Sequence, residues 1–230
     1  VFTPPRRATP EWLDDPSLDR ATAVTSGEDI ARCNAWLGGR RALRAQFAPL
    51  WDLLPSSATV LDVASGVGDL GASLQAEALR RGRALHVIAL DRRVELVDRA
   101  QIRGLTPLVA DVATIPLPKA SVDVVICGQF LHHLAPATLA PTLRELSRVA
   151  RHAVLISDLE RSWVAAVGFW LLAWPLALHP ISRHDGVASV LKGFTADEFR
   201  TALTAGLGRP VRVQRRLPFR LTSSWGPSLP

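Results

Sequence analysis

From residue 58 onward, short β-branched runs alternate with helical stretches, and this alternation narrows the possible folds more than any other feature of the chain. Residues 59–64 form the first expected strand, followed by a glycine-rich turn and a helix over 70–82. Residues 86–90 form the second and end at Asp91, with a helix over 93–103; residues 108–110 form a brief third that ends at Asp111. The fourth covers 122–127, and a helix over 138–150 leads into the fifth at 153–157. Strands that are apolar on both faces suit a parallel sheet buried between helices. The expected fold is α/β, a Rossmann-like, doubly wound, mostly parallel sheet with helices on both faces.

The flanking segments read as additions to that core. Residues 1–17 hold Pro4, Pro5, Pro10 and Pro16 without a steady period, as an irregular arm would. Ser26 and Asp29 have capping-box spacing for a helix over 27–38, halted by Gly38 and Gly39. A second helix over 40–54 would carry Leu43, Phe47, Leu50, Trp51 and Leu54 on one face. Residues 1–54 are therefore expected to form an arm and cap helices, and 55–230 the core, within one structural domain. An insertion at 159–199 interrupts the core. Thr195 and Glu198 make a capping box at its end, for a helix over 196–205.

Composition removes several classes. Hydrophobic residues make up 48 % of the chain, enough for a full core. The longest apolar run, residues 163–178, is shorter than the ~18 residues of a membrane span. Cys33 and Cys127 are the only cysteines, which excludes a disulfide scaffold and suits a reducing cytoplasm. No basic-then-apolar start resembles a signal peptide, and Val1 in place of Met leaves the native start open. The net charge is +6, but the arginines are scattered and no run of ~5–8 basic residues exists. A strand over 211–220 would place Arg212, Arg216 and Arg220 on one face and Arg215 on the other, too short a strip for a nucleic-acid partner.

Ligands of open α/β sheets bind beyond the carboxyl ends of the strands. After the first strand stand Gly66, Gly68 and Gly71, which let the backbone bend sharply toward a ligand. Asp91, twenty residues beyond Gly71, can accept both hydroxyl protons of a ribose, and Asp111 can accept from an adenine amino group. Together they read as a site for an adenosine-containing cofactor. The spacing of the three glycines also matches the nicotinamide dinucleotide fingerprint, although Asp62 and Asp111 have no standard part in it.

The stretch from Val60 to Gly68, Val60-Leu61-Asp62-Val63-Ala64-Ser65-Gly66-Val67-Gly68, resembles motif I of the class I S-adenosylmethionine-dependent methyltransferases. Ala89-Leu90-Asp91 resembles their second acidic motif, and Ala110-Asp111-Val112-Ala113 with the following Ile115-Pro116-Leu117-Pro118 their adenine-binding stretch. Ser121 to Val125 and Phe130-Leu131-His132-His133-Leu134 resemble the fourth strand and the loop beyond it. The resemblance covers residues 55–160 and departs at Ala64, where the family usually has Gly. It implies S-adenosyl-L-methionine as cofactor and S-adenosyl-L-homocysteine as product. By the same resemblance Asp62 organises the loop, and Ala64, Gly66 and Gly68 line the methionine part. Asp91 holds the ribose, Arg92 covers the adenine face, and Asp111 and Val112 recognise adenine. Cys127 and Gly128 would lie near the methyl donor. Asp158-Leu159-Glu160-Arg161 and Arg183-His184-Asp185-Gly186 resemble a small-molecule subgroup found beside bacterial type III polyketide synthases. That implies a small aromatic or polyketide-like acceptor in secondary metabolism, under a lid made by the insertion and the N-terminal helices.

Methyl transfer to a hydroxyl is an in-line displacement that needs alignment and exclusion of water. A phenol also needs a base that titrates near working pH. His184, expected on a loop, and His133 are the candidate bases, and His132 stands beside them at the acceptor side. Trp163, Trp170 and Trp174, at spacings of seven and four, share one helical face. Trp163, Trp170 and Arg183 are expected to wall a flat or lipid-tailed acceptor, although the tryptophan face equally suits core packing or a homodimer contact. A membrane-surface helix is disfavoured because the run lacks a polar face. No metal is expected, since Asp158 and Asp185 have no clear third ligand. Beside O-methylation, two alternatives stay open: C-methylation of a quinone precursor, and an NAD-dependent oxidoreductase.

Overall fold

The computed structural model describes residues 3–229, so Val1 lies outside it. β1 (Ser57–Val63), β2 (Ala84–Asp91), β3 (Thr106–Val109), β4 (Val122–Gly128) and β5 (Ala150–Leu159) run parallel. β6 (Val213–Arg216) and β7 (Arg220–Trp225) complete a seven-stranded sheet of order β3-β2-β1-β4-β5-β7-β6, with β7 antiparallel to both neighbours. The strand order reverses between β1 and β4, where open sheets of this kind leave a crevice. Val63 pairs with Leu90 on one side and Cys127 on the other, so the loops after β1, β2 and β4 leave the sheet side by side.

Both sheet faces are buried, as the apolar strands require. Val124 and Ile126 join Phe47, Leu74 and Ala100 on one face; Val125 and Cys127 join Leu143, Leu146 and Phe199 on the other. Successive residues of β4 thus feed opposite cores, the period-two pattern of a strand covered twice. α2 (Gly39–Phe47), α3 (Asp69–Arg80) and α4 (Val94–Ile102) supply the first face; α5 (Pro136–Val149) and α8 (Ala196–Leu207) supply the second. α8 begins at the capping box of Thr195 and Glu198.

Four local expectations need correction. α1 (Arg20–Trp36) starts seven residues before the expected position, because Asp19 caps it by accepting from the Thr22 amide. Ser26 and Asp29 lie buried inside that helix and do not cap it. The second helix stops at Phe47 and tightens into a turn at Ala48–Leu50, where Pro49 breaks the ladder. Within the insertion, Arg183 to Gly186 lie not on a loop but inside α7 (Pro180–Lys192), which the His179 side chain caps and Pro180 opens. The basic strip at 211–220 does not form: the segment is a hairpin in which Arg220 is buried and Arg215 pairs with Glu160. α6 (Trp163–Leu172) packs on α7 through Gly186, where a Cβ would meet the Phe169 ring.

Gly68 sits at φ +75° before α3, and a Cβ there would lie 2.6 Å from Leu105 and 2.8 Å from Ala100. Gly68→Ala is expected to cost about 2–4 kcal/mol in urea denaturation, the sum of backbone strain and overpacking. Gly66→Ala, at φ +54° with nothing within 4 Å of the new methyl, should cost about 1–2 kcal/mol.

Candidate functional site

One cavity of about 850 Å³ opens over the strand ends and runs from the glycine loop to the helices of the insertion. Its size suits a cofactor with an acceptor beside it. Asp62, Ala64, Gly66, Asp91, Arg92, Asp111, Val112 and Gly128 all line its sheet end. Asp91 joins two loops: its carboxylate accepts from the Gly66 amide at 2.9 Å and the Arg93 amide at 3.0 Å. Burial raises its pKa against those two amides. Asp111 accepts from Ala113 at 2.8 Å at the head of a short turn.

Asp62 turns its carboxylate to the Gly71 amide at 3.0 Å, which anchors the start of α3 under the glycine loop. Burial, with the charge of Asp69 added, pushes its pKa up to about 8. Ala64 takes φ +52°, a left-handed conformation that favours glycine. The departure from the family pattern therefore strains the backbone; the size of the methyl is the lesser matter. Two expected cofactor residues do not line the cavity. Gly68 serves the turn and packs against Leu105 and Ala100. The Cys127 thiol lies in the core, where burial drives its pKa well up.

Beyond β4 the two loop histidines meet the N-terminal arm. The buried His132 ring holds its Nδ1 2.6 Å from Asp158 Oδ1, while its backbone amide donates to Asp158 Oδ2 at 3.0 Å. Asp158 is fully buried at the end of β5. Burial would raise this carboxyl, but the charge and hydrogen bond of His132 hold it below the usual range. His132 Nε2 has no hydrogen-bond partner and stands 3.7 Å from Glu11 Oε1. His133 places Nδ1 3.1 Å from Asp14 and Nε2 3.7 Å from Glu11. Burial opposes its charged form, yet Asp14 and Glu11 win and raise its pKa. Glu11, His132 and His133 bring ligand-type atoms within 4.8 Å of one another, closer to metal geometry than Asp158 and Asp185. Lys192, whose ammonium lies 3.2 Å from Glu11 Oε1, and Arg92, 3.2 Å from Asp14 Oδ1, add positive charge here.

His184, the other expected base, does not line the cavity. Its ring stacks on Trp12 at 4.0 Å and its Nδ1 lies 2.8 Å from Asp185, because α7 turns it toward the arm. Arg183 also points away, donating to the Leu178 carbonyl and stacking over Trp174. Trp163 packs beside Ala165, Ala166, Val190 and Leu191, and Trp170 is 55 % exposed, so neither walls the cavity. The helix instead contributes Gly168 and Phe169 to the lining, together with Val164 and Leu172, which are exposed at its rim. Trp174 lies past the end of α6 and breaks the expected shared face.

The residues missed in the sequence come mainly from the arm. Glu11 and Asp14 reach the site because Asp185 accepts from the Trp12 and Leu13 amides, both at 2.8 Å. Arg220, fully buried and lining the cavity, donates to Asn34 at 3.4 Å and leaves its Nη1 unpartnered; burial lowers its pKa to about 10. Asn34 also donates to Asp69 and accepts from Gln129, which ties α1 to the loops after β1 and β4. No spacing rule joins residues so far apart in the chain.

Residues 60–153 match the family model described as a methyltransferase domain. An uncharacterized methyltransferase of Mycobacterium tuberculosis (strain H37Rv) is 33% identical over 122 residues, covering 50% of this chain and 48% of the relative. The chain thus spans about half the length of the curated relatives it matches. Among solved structures, a SAM-dependent methyltransferase from Aquifex aeolicus aligns with a TM-score of 0.59 at 19% identity, covering 90% of this chain and 98% of that one. Human N-acetylserotonin methyltransferase in complex with SAM aligns with a TM-score of 0.61 at 14% identity, covering 90% and 56%. Magnesium protoporphyrin IX methyltransferase from Synechocystis PCC 6803 with bound SAM gives 0.54 at 15% identity, covering 91% and 98%. These structures share the Rossmann-like methyltransferase fold with this chain.

The raised pKa of His133 has a thermodynamic consequence. Its charged form stabilises the fold fully below the unfolded value near ~6.5, and this gain is lost as pH rises through the higher folded value. His133→Ala should therefore destabilise the protein more near pH ~5.5 than near pH ~8.5 in urea titrations. Asp185→Ala should free the arm, seen as faster protease cleavage within residues 3–18 and a loss of about 1–3 kcal/mol.

Proposed function

We propose that the chain is an S-adenosylmethionine-dependent methyltransferase that methylates a hydroxyl of a small aromatic, polyketide-like or lipid-tailed acceptor. The observation that carries this reading is one cavity lined by Asp91, Gly66 and Asp111 and also by His132, whose ring is held from behind by Asp158. The sheet end fits the cofactor. The Gly66 backbone leaves open space where a side chain would stand, and Asp91 keeps lone pairs beyond the two amides it accepts. Those lone pairs would take the ribose hydroxyls; Asp111 and Val112 would meet the adenine. The bound cofactor supplies an electrophilic methyl group on a sulfonium.

The protein's own part is to position the acceptor, exclude water and move a proton. In the neutral ring Asp158 would hold the proton on Nδ1 and leave Nε2, which has no hydrogen-bond partner, as the acceptor. His132 is therefore the proposed base, in place of His184. His133, held between Asp14 and Glu11, shapes the acceptor end. The apolar lining from Val164, Phe169, Leu172, Leu178 and Phe219 favours an acceptor with a hydrocarbon portion.

A panel of alkylated phenols and resorcinols, with the products identified by NMR as methoxy or C-methyl compounds, tests the reaction. A methoxy product supports the reading, and a C-methyl product replaces it with the quinone-type reaction. His132→Gln should lower kcat by about 10²–10⁴-fold while S-adenosylhomocysteine affinity stays unchanged. Turnover that survives in His132→Gln but fails in His133→Ala moves the base to His133. Asp91→Ala should weaken S-adenosylhomocysteine binding by more than about a hundredfold in calorimetry.

A further inference from the structure

We propose that the outer face of α6 docks on an anionic lipid surface, and that the acceptor enters the cavity from there. The docking stands on its own observations; the entry of the acceptor rests on the proposed methyl transfer. No charged residue occurs from Ser162 to Leu178. Val164, Val167, Trp170, Leu171, Leu172 and Trp174 are all exposed, from 43 % to 64 % of their surface. Six large apolar side chains in eleven residues form a patch of the kind that marks an interaction surface.

Membrane-surface helices usually need a polar face opposite the apolar one. In this fold the requirement is relaxed, because the inner side of α6 packs on α7 through Ala165, Ala166, Val190 and Leu191. Arginines stand at both ends of the patch. The Arg7 guanidinium lies 5.9 Å from the Trp163 ring and that of Arg183 lies 4.1 Å from Trp174. Neither makes an ion pair among the described residues. Two cations around an apolar face with exposed tryptophans match a bilayer surface that carries negative headgroups over hydrocarbon.

The same charges oppose a second copy of the chain. Two α6 helices packed on each other, parallel or antiparallel, would bring arginines together with no carboxylate on the face to separate them. A lipid occupant also explains why the patch and the cavity share residues: Val164 and Leu172 are exposed and line the cavity as well. A hydrocarbon-tailed acceptor passes between them without crossing water.

The test is vesicle flotation with the full chain, comparing phosphatidylcholine vesicles with mixed phosphatidylcholine–phosphatidylglycerol vesicles. The protein should float with the anionic vesicles, with a blue shift of tryptophan emission, and remain behind with the neutral ones. Trp170→Glu combined with Leu171→Glu, neither of which lines the cavity, should abolish flotation and leave S-adenosylhomocysteine affinity intact. Arg7→Ala with Arg183→Ala should lower partition by more than about tenfold. The proposal is overturned if the wild type fails to float with anionic vesicles, or if the glutamate pair floats as the wild type does. It is equally overturned if the wild type runs as a dimer that the glutamate pair dissociates, which would make a second copy the occupant. Loss of methyl transfer on phenols with flotation intact would refute the proposed reaction and leave the docking standing.

Discussion

Parallel strands of one polarity must end at one edge of a sheet, and every group in the cavity depends on that constraint. The register fixes how close the loops come: Val63 lies between Leu90 and Cys127, so residues 64–66, 91–93 and 128–133 converge. Asp91 converts that proximity into a bond, since its carboxylate holds the Gly66 amide across two loops. Asp62 does the same beneath, holding the Gly71 amide so that α3 starts directly under the glycine turn. Asp62 is buried and Asp91 half-buried, both take backbone donors as hydrogen-bond partners, and desolvation raises both pKa values. The loop geometry is thus bought with desolvated acids.

The acceptor half is built by a different device. The arm has almost no secondary structure to satisfy its backbone, so side chains from elsewhere must do so. Asp185 accepts from Trp12 and Leu13; Arg93 donates to the Leu13, Asp15 and Leu18 carbonyls; Arg161 donates to Pro4 and Gly193. Three side chains from three separate elements therefore hold Glu11 and Asp14 over the loop histidines. Two of the 25 arginines, Arg93 and Arg161, thus serve the arm's backbone and are not free surface charge. Arg161 and Arg220 are buried, and Arg93 is nearly so.

Legibility followed locality. The five parallel strands and the sheet-end residues Asp62, Gly66, Asp91 and Asp111 could be placed because strand period and glycine spacing are short-range signals. The acceptor end could not, because its geometry depends on contacts between residues more than a hundred positions apart, such as His133 with Asp14. His184 looked catalytic beside Asp185 in the sequence. In the fold the Asp185 carboxylate is shared by the arm and His184, and the ring is sealed against Trp12. The tryptophans of the 163–178 run obeyed helical spacing only as far as Leu172, where the helix ends. Trp170 turns outward on a helix whose opposite side is set by Gly186, which admits the Phe169 ring.

The proposed site discriminates at its sheet end, which takes an adenosyl sulfonium cofactor in preference to a dinucleotide. Isothermal titration of the wild-type chain with S-adenosylhomocysteine and, separately, with NAD tests it most directly. Saturable one-to-one binding of S-adenosylhomocysteine and no heat with NAD are expected; binding of NAD with none of S-adenosylhomocysteine would overturn the assignment.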